Sequence, residues 1–178
     1  TAAATQFSVG SNAGNATITN LADTSTFFRD NASAGNANII SSGAASTVTF
    51  DNNSTGGNST ITFSGNLAIG EFKNNATAGS AAINLTNATA LVNFFDTSRG
   101  GTSIIRNQAS SSIFPAGVVG FFNNANAQNA QIFNSGTSAQ TLFSDTSNAG
   151  AAVIVNSGID SNTQFIVNAN AGTANISN

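Results

Sequence analysis

Seven carboxylates are the side chains of this sequence best suited to acid–base chemistry. Hydrolysis of a glycosidic bond needs two carboxyl groups about 5 to 9.5 Å apart, with one acting as the acid and the other as base or nucleophile. Whether any two of the seven lie that close depends on the elements that position them, so the organisation of the chain must be established first. The seven are Asp23, Asp30, Asp51, Glu71, Asp96, Asp145 and Asp160.

The remaining composition removes most catalytic chemistry. The 178 residues include no His, Cys, Met, Trp or Tyr, so the chain has no imidazole base, no thiol nucleophile and no base that could activate a serine. The usual zinc ligands are missing, and the Gly-rich, Asp-containing repeat of calcium-binding solenoids does not occur. We therefore predict that the chain is not an enzyme and uses neither a metal nor a cofactor.

The charge pattern also excludes several partners. Four cations and seven carboxylates give a net charge of -3, and so few cations cannot form the basic stripe that neutralises phosphates, which predicts no nucleic-acid binding. The longest nearly apolar run, 114–122, contains Pro115 and is much shorter than the ~20 residues that a spanning helix needs. We therefore predict no membrane-spanning segment. The lack of Met predicts an amino terminus made by processing or by excision from a longer protein.

A repeat of 22 residues runs through the sequence. Eight Phe residues mark it, at successive spacings of 21, 22, 22, 22, 27, 22 and 22 residues. In every repeat Ile stands eleven residues after this Phe, and Gly stands seven residues after it except where Gln128 replaces it. The Phe positions are Phe7, Phe28, Phe50, Phe72, Phe94, Phe121, Phe143 and Phe165. The Ile positions are Ile18, Ile39, Ile61, Ile83, Ile105, Ile132, Ile154 and Ile176, and the Gly positions are Gly14, Gly35, Gly57, Gly79, Gly101, Gly150 and Gly172.

The pattern within each repeat indicates two short β-strands. Ser46, Val48 and Phe50 alternate with other residues, and Ala81 precedes Ile83 by two positions, which is the period of a strand. The Asn, Asp and Gly residues between them are typical of turns. Two short strands cannot bury an apolar face alone, so the repeats must stack. We predict an all-β fold: a right-handed parallel β-helix (β-solenoid) of about eight 22-residue coils, forming a single domain over 1–178.

This arrangement keeps the carboxylates apart. Asp30, Asp96 and Asp145 share the second position after the repeat Phe, but they lie three and two coils apart, which is roughly 14 and 10 Å at the strand spacing. Glu71 and Asp51 fall in adjacent coils, where neighbouring cations favour ion pairing over catalysis. No pair is therefore predicted to be catalytic.

The position directly after the repeat Phe faces the outer surface in the predicted fold. It holds Arg29, Asp51 and Lys73 in three successive coils, which predicts a vertical charge ladder with neighbours ~5 Å apart. Further along the same column Phe95 is expected to lie over Phe122. Exposed ion pairs contribute little to stability, so we expect the ladder to make the surface soluble and not to serve a specific function.

Three further features bear on binding. Asn15, Asn36 and Asn58 share the eighth position and predict an amide ladder. The insertion at 106–120 carries the only Pro of the chain, and inserted loops on solenoids are common binding sites, although tolerated loop growth is commoner. Thr-x-Thr triplets such as 17–19 raise the possibility of ice binding, but the array does not persist along the column, where Asn38/Ile40, Ala82/Asn84, Ile104/Arg106 and Val153/Val155 hold the equivalent positions of other coils.

Several phrases resemble the repeats of a known family. "SNAGNATITN" at 11–20, "NASAGNANI" at 31–39 and "NATAGSAAI" at 75–83 resemble the repeats of bacterial autotransporter-type surface proteins, whose passengers are right-handed parallel β-helices. The resemblance covers nearly the whole chain. It implies an extracellular or cell-surface location, export in an unfolded state and no cofactor. Such passengers serve as adhesins, stalks and fibres, so it specifies the architecture better than the activity.

The leading functional hypothesis is an extracellular structural protein, a β-helical rod that stacks head-to-tail into a surface fibre or filament. In the repeat register the first and last residues of the chain are separated by only two positions, and uncapped end coils expose strand edges to which another chain can add. The chain is thus expected to be a homo-oligomer. The alternative is a fragment of a surface adhesin that binds a host or glycan surface, and the third hypothesis is an ice-binding protein. Assembly without any ligand favours the first, loss of affinity on deleting 108–114 favours the second, and thermal hysteresis is needed for the third.

Overall fold

The computed structural model describes residues 3–112 and 115–178, and these residues form sixteen short strands and no helix. Two strands occur in each repeat, one ending at the repeat Phe and one containing the repeat Ile. The strands are β1 Ala4–Phe7, β2 Thr17–Asn20, β3 Ser25–Phe28, β4 Asn38–Ser41, β5 Thr47–Phe50, β6 Thr60–Phe63, β7 Ile69–Phe72, β8 Ala82–Leu85, β9 Leu91–Phe94, β10 Ile104–Asn107, β11 Ala116–Phe121, β12 Gln131–Asn134, β13 Ala139–Phe143, β14 Val153–Asn156, β15 Asn162–Phe165 and β16 Asn175–Ser177.

The strands form two parallel sheets. The odd-numbered strands follow one another from β1 to β15 in one eight-stranded sheet, and the even-numbered strands do so from β2 to β16 in the other. Every strand pairs with the strand one repeat away, so that Phe50 is aligned with Phe72 and Ile61 with Ile83. The predicted all-β solenoid of about eight coils is confirmed. The right-handed winding stays a prediction.

A third side of each coil is a single bridging residue. It lies five positions after the repeat Phe and pairs in parallel with its equivalent in the next coil, as Thr55 does with Thr77. Each coil therefore has three corners, which in the coil that begins at Phe50 are the first corner at 51–54, the second at 56–59 and the third at 64–68. The sequence analysis predicted the turns but not this third side, because the bridging residue varies among Asn, Ser, Thr and Arg.

The repeat Phe side chains form a continuous column through the core. Neighbouring rings lie with their centroids 4.6 to 4.8 Å apart and their planes 3 to 9° from parallel. Phe28 and Phe94 are completely buried, as are Ile39 and Ile83 in the parallel Ile column. Because each buried aromatic side chain removes a large apolar area from water, these two columns supply a large part of the hydrophobic stabilisation.

A further core column lies beside the third corner and was not predicted. In the middle coils it is apolar: Phe63 is buried against Gly70, where an added Cβ would lie 2.5 Å from the Phe63 ring. Towards the last coil it is polar, because Asn134 donates from Nδ2 to Thr141 Oγ1 at 2.9 Å and to Asn156 Oδ1 at 2.7 Å. Buried amides cost little when they are hydrogen-bonded in this way.

Candidate functional site

The carboxylates do not form a catalytic or metal-binding cluster in the part of the chain that the structure describes. No group of three or more Asp or Glu side chains is placed to hold a metal ion among residues 3–112 and 115–178. Asp30, Asp96 and Asp145 occupy the first corner, and the equivalent positions between them hold amide residues such as Asn52 and Asn123. The first corner is therefore a mixed ridge of carboxylates and amides.

The ridge exists because the second position after the repeat Phe has a left-handed backbone in every coil. Asp30, Asn74 and Asp96 have φ values of 59, 55 and 59°, a conformation that Asn and Asp tolerate better than other non-Gly residues. Two shallow grooves run along it. One is lined by Asp30, Asn31, Asn52, Asn53, Asn74 and Asn75, and the other by Asp96, Thr97, Asn123, Asn124, Asp145 and Thr146.

The carboxylates of the ridge are used as hydrogen-bond acceptors between coils. The Asn74 N–H donates to Asp96 Oδ2 at 3.0 Å, the Asp96 N–H donates to Asn123 Oδ1 at 3.2 Å, and the Asn123 N–H donates to Asp145 Oδ2 at 3.0 Å. Each of these side chains thus accepts a hydrogen bond from a backbone N–H in the turn of the preceding coil. This network gives the carboxylates a structural role. The sequence signal for it is the recurrence of Asp or Asn at this position in the six interior coils.

Substituting Asp96 tests that role. We expect Asp96→Ala to lower the free energy of unfolding by about 1–2 kcal/mol, because it removes the acceptor for the Asn74 N–H and places Ala in a left-handed conformation. Asp96→Asn keeps an acceptor oxygen and should change the free energy by less than about 0.5 kcal/mol. Denaturant unfolding measures both variants. Equal midpoints for the Ala and Asn variants would contradict the capping role.

The charged residues of the predicted ladder have other contacts. Lys73 Nζ lies 2.7 Å from Glu71 Oε2, on its own coil, with side chains 39% and 26% exposed. The Arg29 guanidinium lies 4.7 Å from the centroid of the Phe27 ring. Asp51 accepts from Asn74 Nδ2 at 2.6 Å. The three side chains thus belong to separate local contacts, and the half-exposed ion pair adds little stability.

Two other predicted surface features have defined contacts. Asn36 Nδ2 donates to Asn15 Oδ1 at 3.2 Å, and Asn58 Nδ2 donates to Asn36 Oδ1 at 3.5 Å. Phe95 and Phe122 stack with centroids 5.3 Å apart and planes 19° from parallel. Hydrogen-bonded amides and stacked rings both stabilise the contact between neighbouring coils.

The insertion at 106–120 closes the third corner of its coil. Asn107 Nδ2 donates to the Gly117 carbonyl oxygen at 2.7 Å, and Ala109 is completely buried. The Ser111 N–H donates to the Thr137 carbonyl oxygen at 3.2 Å. Residues 113 and 114 lie outside the described part of the chain. Most of the described insertion is therefore packed against the solenoid.

The two end coils present surfaces of a different kind. Phe7 and Ile18 in the first coil, and Phe165 and Ile176 in the last, are only partly buried although they continue the core columns. β1, β2, β15 and β16 each pair with one neighbouring strand. Most of the large apolar side chains that are strongly exposed also lie in or next to these coils, namely Val9 at 85%, Leu21 at 63%, Ile159 at 73%, Ile166 at 45% and Val167 at 73%.

The fold and these surfaces define a parallel β-solenoid repeat protein. Comparison of the chain with protein-family models, curated protein sequences and solved structures finds no match. The β-solenoid architecture is thus established by the strand pairing, and the autotransporter-type origin stays a hypothesis. Within residues 3–112 and 115–178, no helical segment has the length and apolar character that crossing a bilayer requires.

Proposed function

We propose that the chain is an extracellular structural protein, a β-solenoid rod whose copies stack end to end into a surface fibre. The observation that carries this proposal is the incomplete burial of the core columns at both end coils, where Phe7 and Phe165 are only partly covered. Burying such apolar surface against another chain is favourable. In the interior coils, among residues 3–112 and 115–178, the Phe and Ile side chains of the same columns are buried.

The end coils also provide unpaired backbone groups. β1 and β15 are the outermost strands of one sheet, and β2 and β16 are the outermost strands of the other. A row of free N–H and C=O groups is a template for strand addition. The face that begins the solenoid and the face that ends it differ, so their contact is heterologous and does not close. Repetition of a non-closing contact produces a filament.

Charge does not oppose this contact. Residues 3–20 and 161–178 contain no Asp, Glu, Lys or Arg. Like charges placed opposite each other on neighbouring strands destabilise their pairing, and no charged side chain is present here to cause such repulsion. The location outside the cell is supported by the sequence resemblance to surface-protein passengers.

Electron microscopy of the purified 178-residue chain at micromolar concentration tests the proposal. We expect long unbranched threads without any added ligand, with an axial repeat of ~38 Å for eight coils at the ~4.8 Å strand spacing. The length of the threads should increase with protein concentration. Short dispersed rods at every concentration would overturn the proposal and favour the adhesin alternative, in which the chain presents a binding surface.

A further inference from the structure

The first and last coils share residues that the coils between them lack. The second position after the repeat Phe is Asp or Asn in all six interior coils, but it is Val9 in the first coil and Val167 in the last. The position before the repeat Phe is Gln6 in the first coil and Gln164 in the last, and no other coil has Gln there. The pattern Thr-Gln-Phe-x-Val therefore occurs twice, at the two opposite ends of the solenoid.

The two Val residues are costly to the isolated chain. Their φ values are 53° and 63°, in the left-handed region, which is strongly unfavourable for a β-branched side chain. They are also 85% and 73% exposed, so the chain gains little from burying them. Strained residues of this kind often mark functional sites. The interior coils show that Asp or Asn would fit the same backbone without this cost.

We propose that Val9 and Val167 are the two halves of one interface between copies of this chain, in which the last coil of one copy stacks on the first coil of the next in the register of the internal coils. This inference rests on the proposed stacking function and specifies its contact. β15 would pair in parallel with β1 of the next copy, and β16 with β2. Phe165 would then stack on Phe7 of the next copy, and Val167 on Val9.

The register follows from the internal pairing. β13 aligns Phe143 with Phe165, and β1 aligns Phe7 with Phe28, so continuing the same alignment places position 165 of one copy over position 7 of the next. Gln164 then lies over Gln6, where two amides can hydrogen-bond as in stacked cross-β ladders. The same alignment sets the two exposed Val side chains against each other. Their burial would be the apolar gain that offsets the strained backbone.

Disulfide trapping tests this register directly, because the chain contains no Cys. Cα atoms on neighbouring parallel strands lie about 5 Å apart, within the range of about 4.4 to 6.8 Å that a disulfide allows. We expect a mixture of Val9→Cys and Val167→Cys chains to form covalent dimers at least about tenfold faster than either variant alone, because stacking raises the effective concentration of the two thiols. Val9→Cys mixed with Asn124→Cys, an exposed position on an interior coil, is the matched control.

A second pair of variants separates assembly from folding. Val9→Asn and Val167→Asn install a residue that interior coils use at this position, so both should unfold at a denaturant concentration equal to or above that of the unmodified chain. Each should nevertheless weaken association at least about tenfold, since it removes buried apolar surface from the contact. Reduced stability together with unchanged assembly would overturn the inference.

The possible failures are distinguishable. If the unmodified chain forms no filaments, the proposed stacking function itself is wrong. If filaments form but the mixed Cys variants react no faster than the control mixture, the stacking function stands and the proposed register is wrong. Rapid cross-linking of the mixture together with weaker assembly of the Asn variants is the result that supports the interface.

Discussion

Replacing Ile83 by Asp is expected to abolish the solenoid fold of the central coils. Ile83 is completely buried on β8 and is aligned with Ile61 in the preceding coil and Ile105 in the following one. A carboxylate at this position would have apolar neighbours on both sides and no cation, and a buried unpaired charge is among the most destabilising changes known. We expect a loss of more than about 4 kcal/mol, a large part of the 5 to 15 kcal/mol that stabilises a typical domain.

The neighbouring residue provides a matched control for Ile83→Asp. Asn84 follows it on β8, and its side chain points to the outer surface and is half-buried. Asn84→Asp adds the same charge with almost no change in shape, so we expect a change below about 0.5 kcal/mol. Far-UV circular dichroism and denaturant unfolding measure both variants. If Ile83→Asp folds like the unmodified chain, the inward column of β8 has been assigned to the wrong residues.

The repeat Phe and Ile columns could be predicted from sequence because stacking requires the same shape in every coil. A column that must be filled by one ring over another leaves the same residue type at a constant spacing, as Phe50 and Phe72 show. The column beside the third corner could not be predicted in this way. There the Phe63 ring packs against Gly70, which has no side chain, whereas Asn134 hydrogen-bonds to Thr141. Asn recurs in this column at Asn20, Asn107, Asn134 and Asn156, but Ser41, Phe63 and Leu85 interrupt the series. No residue type is therefore constant along the column, as Phe and Ile are along theirs.

The candidate surfaces were only partly predictable for a related reason. Coil spacing alone separates Asp30, Asp96 and Asp145 in the first corner, and the sequence was sufficient for that. Their use as acceptors for the Asn74 and Asn123 N–H groups depends on backbone direction, which the sequence does not show. The sequence shows that Val9 and Val167 occupy, in the two end coils, the position that holds Asp or Asn in the interior coils. What the sequence does not show is the left-handed backbone at that position, and it is this conformation that makes Val unfavourable there.

The second large effect is expected at the third corner, where Gly65→Ala should destabilise the solenoid by more than the roughly 3 kcal/mol that overpacking usually costs. A Cβ on Gly65 would lie 2.1 Å from the Gly43 carbonyl oxygen and 2.7 Å from the Gly43 carbonyl carbon. Both atoms belong to the backbone of the preceding coil, so no side-chain rotation relieves the clash. Gly43, Gly136 and Gly158 are equally close to the backbone of a preceding coil. The same close approach therefore recurs at these corners, whereas Asn87 and Ala109 stand at the equivalent position of the two coils between Gly65 and Gly136.

Gly10→Ala is the matched control for this clash. Gly10 has a φ of 74°, and an added Cβ would have no atom within 4 Å, so Ala there should cost only about 1–2 kcal/mol of left-handed strain. Denaturant unfolding of both variants separates the steric effect from the conformational one. Because solenoid coils interact mainly with their neighbours, Gly65→Ala should weaken the contact between the coils of Gly43 and Gly65 and produce an early unfolding step there. A Gly65→Ala chain that unfolds in one step, no earlier than Gly10→Ala, would mean that the coils can separate at this corner without loss of stability.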